Sequence, residues 1–141
     1  MNTPQELSHP GHRADVRFAA LPCRAQPVQL RLPAGVPFDQ AVAQAFDTAG
    51  YSAGYLTVPA ARFLRLSYVI PDRAPGDGRA AWYSDTRVLE NADATQIGLH
   101  LGRRDGAPFL HCHGLWGLAT EPLRMGHLLA PDSVLAAPVT A

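Results

Sequence analysis

The chain has 141 residues, of which 47% are apolar and 17% charged, with twelve basic and twelve acidic side chains. That is enough apolar material for one domain with a core and too much for a disordered chain. No apolar run approaches the ~20 residues a membrane helix needs, and no basic-then-apolar leader opens the chain. A formal net charge of +0 lacks the footprint of a phosphate-backbone binder, so the expectation is a single soluble, cytoplasmic domain with no membrane partner.

All twelve basic residues are arginine. The absence of lysine excludes a lysine Schiff base and a P-loop lysine. The two cysteines, Cys23 and Cys112, have no CxxC spacing and read as buried free thiols.

Residues 1–15 are polar, contain Pro4, Pro10 and Gly11, and read as a flexible tail; its His9 and His12 have no rigid frame on which to hold a metal. Val16–Leu21 and Val28–Leu32 read as strands, the second alternating apolar and polar residues. After the turn Pro33–Pro37, the spacing of Phe38, Val42, Ala45, Phe46 and Ala49 predicts the one long helix, over about 37–49. Pro37 suits its first turn, Asp39 its positive end and Gly50 its stop. Tyr51–Val58 and Arg62–Ile70 are strand-like, and Pro71–Arg79 is a loop. Ala81–Leu89, Thr95–Arg103, Pro108–Trp116, Gly126–Leu129 and Ser133–Thr140 complete the set. Asp105-Gly106 is a hairpin signal between two of these strands. One helix on many short strands implies an α+β domain with a mostly antiparallel sheet.

The chemistry concentrates in Phe109–Trp116 and Met125–Leu129. On a strand, His111 and His113 project from one face, roughly 6.5–7 Å apart. If 107–116 pairs with 125–129, His127 supplies a third imidazole. Three neutral imidazoles suit Zn²⁺ and leave a fourth position for water or a ligand. An HxH pair alone also suits sheet histidines that only hydrogen-bond to neighbours. His100, on the preceding strand, is a candidate additional member or a solvated sheet residue. A metal with an open position can activate water or polarise a carbonyl, and Glu121 is the only carboxylate between the two histidine segments to act as acid or base. Cys112 points to the opposite face. Tyr51, Tyr55, Phe63, Tyr68, Trp82 and Tyr83 read as core or interface, with a Tyr or Trp available to line a small-molecule pocket.

The segments Gly102-Arg-Arg-Asp-Gly-Ala-Pro-Phe-Leu-His-Cys-His113 and Gly126-His-Leu-Leu129, with the opening Leu30-Arg-Leu-Pro-Ala-Gly35, resemble the plant and prokaryote conserved domain (PCC or PPC). The likeness spans about residues 16–141. It implies an antiparallel sheet flanked by a helix, a homotrimer, and a metal, usually taken as zinc, at His111, His113 and His127. Plant members act on AT-rich DNA through an added AT-hook, and prokaryotic relatives are labelled DNA-binding by that analogy. Here no hook exists. Met125 stands where the family has the first glycine of GGHL, which implies a less permissive turn. Gln96 aligns with a common Glu. The closing strand stops at Ala141 where members continue, so one half of a longer, duplicated chain is a further expectation. Three functions follow: a metal-binding domain taking a small ligand, a DNA-binding regulator, or a metal-dependent hydrolase or lyase.

Overall fold

The computed structural model describes residues 15, 16, 18, 20, 22, 24–74 and 82–141. In chain order the elements are β1 (Arg31–Leu32), α1 (Phe38–Thr48), β2 (Gly54–Val58), β3 (Ala61–Val69), β4 (Arg87–Arg104), β5 (Ala107–Gly117), β6 (Arg124–Leu128), a single 3-10 turn (Ala130–Asp132), β7 (Val134–Leu135) and β8 (Val139–Thr140). The domain is α+β with antiparallel pairing throughout. No described helix is long and apolar enough to cross a membrane.

The single helix starts and stops where its sequence dictates. Pro37 precedes it in an extended conformation, and the Phe38 N–H donates to the Ser133 carbonyl at 2.8 Å. Gly50, at φ +80°, reverses the chain at the other end. The Gly50 N–H then reaches the Asp47 carbonyl and the Tyr51 N–H the Phe46 carbonyl, both at 2.9 Å. This pair of bonds is a Schellman closure, and it needs the left-handed residue that glycine supplies without strain. The buried face is Phe38, Ala41, Val42, Ala45 and Phe46. Ala49 drops out of the expected stripe because it is the exposed last residue of the turn, and Ala41 takes its place.

Six strands form one sheet in the order β2-β4-β5-β6-β3-β7, and β3 also pairs with β4, so the ladders β4–β5–β6–β3 close into a ring. Closure depends on β4. The sequence reads two strands there, but the chain runs 18 residues without a break. Its Arg87–Ala94 half pairs with β3, its Ile97–Leu101 part with β2, and Asp93–Arg104 with β5. Polar Glu90, Asn91 and Asp93 suggest an interruption, but Glu90 and Asp93 are exposed and tertiary pairing overrides their low strand propensity. The β4–β5 hairpin closes as expected through Asp105 (φ 52°) and Gly106 (φ 79°), the two left-handed residues of a tight primed turn.

Three other expectations are corrected. Val16, Phe18 and Ala20 lie in no strand and are exposed, while the rest of Val16–Leu21 lies outside the described residues. Val28–Leu32 is regular only at Arg31–Leu32, where β8 pairs with it. Ser133–Thr140 divides into β7 and β8, separated by residues 136–138, because β7 pairs with β3 and β8 with β1. His9, His12, Cys23 and residues 75–81 lie outside the described residues.

The core gathers on one face of the sheet, under α1. Trp116, Phe38 and Phe63 are its largest fully buried side chains, with edge-on contacts Phe38–Phe63 at 5.4 Å and Tyr68–Trp116 at 5.2 Å. Along β5, Cys112 and Trp116 enter this core, whereas Phe109, His111, His113 and Leu115 face outward. Cys112 is a buried free thiol, and burial pushes its pKa up to about 12.

Candidate metal centre

Strand alternation and register assemble the outward histidines. His113 on β5 lies directly opposite His127 on β6, and His111 is one strand period from His113. The ring nitrogens converge. His113 Nε2 lies 3.1 Å from His111 Nε2 and 3.3 Å from His127 Nδ1, and donor atoms of all three residues fall within 4.8 Å of one another.

These short contacts are not an ordinary hydrogen-bond chain. A neutral imidazole nitrogen has one in-plane site, filled by either a proton or a lone pair. His113 Nε2 therefore cannot donate to one neighbour and accept from the other. Three lone pairs directed at one shared ion would account for the arrangement. At a metal–nitrogen distance of ~2.0–2.1 Å, tetrahedral ligands sit roughly 3.3–3.4 Å apart. The separations of 3.1 and 3.3 Å are near that spacing, and the third pair of donor atoms lies within 4.8 Å.

Electrostatics favour neutral donors. The pKa of His113 is lowered by burial and then by His111, with the Gly126 carbonyl acting in the opposite direction. That of His127 is lowered by burial, then by His113 and His111. Deprotonated imidazole is the form that binds metal.

The glycine of the Gly126-His127-Leu128 segment has a packing role. A Cβ at Gly126 would stand 2.6 Å from the Val69 carbonyl oxygen and 3.0 Å from the Tyr68 ring. Met125 lies within β6, has no positive φ and is 71% exposed. Its position therefore makes no demand for glycine, and the expected loss of turn permissiveness does not arise.

The remaining candidates are not members of that three-nitrogen cluster. His100 is on the same outward face, opposite His111, but its ring lies against Tyr55 at 4.9 Å. Glu121 is ion-paired with Arg124, which faces Trp116 three rungs from the His113–His127 pair, roughly 10 Å along the ladder. Arg103 donates to the Gly106 carbonyl at 2.8 Å, and the Arg104 guanidinium covers the Phe109 ring at 3.7 Å. Gln96 is exposed opposite Leu115. Tyr55 and Tyr83, which the sequence reads as core or interface residues or as lining for a pocket, are exposed rather than core; Tyr55 lies against His100, and the Tyr83 ring is 6.3 Å from that of His127. No sequence signal ties either to the histidines, because cross-strand register brings them there. A cleft of about 450 Å³ opens beside His127, between Asp39 and Gln40 of α1 and Phe109 of β5.

An antiparallel sheet flanked by one helix is what the PPC resemblance implied, and solved structures including a PPC protein share this fold. A plant- and prokaryote-conserved protein of Pyrococcus horikoshii superposes with a TM-score of 0.53 at 16% identity, over 80% of this chain and 73% of its own. The metal-containing protein AF0104 of Archaeoglobus fulgidus gives 0.58 at 18% identity, over 87% of this chain and 81% of its own. A Bacteroides thetaiotaomicron protein described only provisionally as DNA-binding gives 0.54 at 13% identity, over 79% and 72%. The sequence itself matches no family model and no curated protein.

Proposed function

We propose that this PPC-fold protein binds one zinc ion through His111, His113 and His127 and uses the remaining coordination position for a small ligand. The observation that carries this reading is the approach of two ring nitrogens to the single in-plane site of His113 Nε2, at 3.1 and 3.3 Å. Three neutral nitrogen donors suit zinc, and a fourth position stays open in such sites. His111, His113 and His127 would hold the zinc, which would supply Lewis-acid chemistry there. The chain's contribution is to fix three rings on two paired strands and to leave a cleft for the ligand beside His127.

The reading includes a homotrimer. Leu115 and Met125 form an exposed apolar pair next to the histidines, and Tyr83 adds to it, a surface suited to burial between copies. Direct DNA contact is less favoured, because the chain is neutral and Arg103 and Arg104 are engaged with their own hairpin. A hydrolase or lyase reading needs an acid or base at the site, and Glu121 is committed to Arg124.

Elemental analysis of protein purified without chelator tests the reading. One zinc per chain is expected in the unsubstituted protein, with loss in His111→Ala and His127→Ala. Metal-free protein, or variants that keep their metal, would overturn it.

A further inference from the structure

Tyr55 is the outward residue of β2 that pairs with His100, and His100 pairs in turn with His111. Its side chain does not stay on that rung. The phenol leans along the sheet over Gly98, where an added Cβ would stand 2.8 Å from the hydroxyl oxygen and 3.6 Å from Cζ. Gly98 faces His113 across the β4–β5 ladder. Directly opposed Cβ positions are ~4.5–5.5 Å apart, so the hydroxyl occupies the place beside His113 that a side chain at residue 98 would fill. His100 packs against the ring at 4.9 Å and supports it there. No hydrogen bond within the described residues engages the hydroxyl, and Tyr55 is 61% exposed.

We infer that Tyr55 is a ligand-binding residue of the histidine site, its hydroxyl donating a hydrogen bond to a small oxyanion, of the carboxylate type, held at the open metal position. Gly98 is the opening that admits the phenol, and His100 is a positioning residue. This inference rests on the metal reading of the three histidines. Its chemistry is specific. A phenol donates one directed hydrogen bond on the β4 side, opposite the β6 side that His127 fills. An oxyanion offers one oxygen to the metal and a second to the donor.

The test uses cobalt(II) as the metal and acetate as the probe, with affinities read from the visible absorption of the bound cobalt. Tyr55→Phe is expected to bind cobalt as the unsubstituted protein does and acetate roughly three- to tenfold more weakly, the range of one net hydrogen bond. Gly98→Ala, which keeps the hydroxyl but blocks its place, is expected to lose acetate affinity similarly. Acetate binding by Tyr55→Phe equal to that of the unsubstituted protein would overturn the role of Tyr55 alone. So would cobalt affinity falling together with acetate affinity, which marks a merely structural role. If the unsubstituted protein takes up no cobalt, the metal reading falls and this inference falls with it.

Discussion

Gly114 and Gly126 stand directly opposite each other, one residue along from the His113–His127 pair, with their bare faces toward the core. A Cβ at Gly114 would approach the Gln96 carbonyl oxygen to 2.6 Å and the Trp116 ring to 3.1 Å, as one at Gly126 would approach Val69. The outward histidines are thus set by close inward packing behind them.

Gly126→Ala therefore forces β6 away from β3. The expected loss of stability is ~1–3 kcal/mol, the usual range for overpacking, with weaker metal binding because His127 moves too. The neighbouring Met125→Gly creates no clash within the chain and is expected to leave the metal binding of each folded chain intact, its cost falling on subunit association through the lost apolar side chain. Urea denaturation of the two variants, with zinc titration of each, checks this contrast.

Metal bound only by the folded state stabilises it by mass action. At a free zinc concentration a hundred times Kd the gain is about 2.7 kcal/mol. Thermal unfolding is expected to shift upward with zinc and back on adding chelator. His127→Ala is expected to show neither shift.

Cys112 is 1% exposed, and its thiol pKa is pushed up from the ordinary 9.0 to about 12 by burial. The thiolate is the nucleophile, so iodoacetamide at pH 8 is expected to leave Cys112 unmodified in the native protein and to label it in urea. Peptide mass mapping separates it from Cys23. For an acid whose folded pKa is raised, the unfolded thiol ionises first as pH rises. The associated stability is therefore expected to decline between about pH 9 and pH 12.

Asp105 and Gly106 both have positive φ. Gly106→Ala meets no steric neighbour but retains the left-handed backbone, at a cost of ~1–2 kcal/mol. Chemical denaturation is expected to show that loss with zinc affinity unchanged, because the turn is remote from His113.

Local signals were legible where a residue's chemistry dictates its own backbone. Pro37, Gly50 and Asp105-Gly106 marked the helix ends and the hairpin correctly, and the alternation of Phe109 to Leu115 placed His111 and His113 on one face. The unbroken β4 was not legible, because Glu90 and Asp93 are tolerated by solvent rather than required by the strand. The Tyr55–Gly98 contact was hidden for a related reason: it depends on register between strands more than 40 residues apart in the chain. Gly98 carries no mark in sequence that a phenol lies over it.

All three imidazoles come from a single hairpin, spanning positions 111 to 127, with the opposed His113–His127 pair as the rung of its ladder farthest from the loop. A slip of β6 by one residue would turn His127 into the core and Leu128 out to solvent. An ion captured by these rings would act as a clasp on strand alignment, rewarding one pairing and penalising every displaced alternative, even when the rest of the molecule loosens.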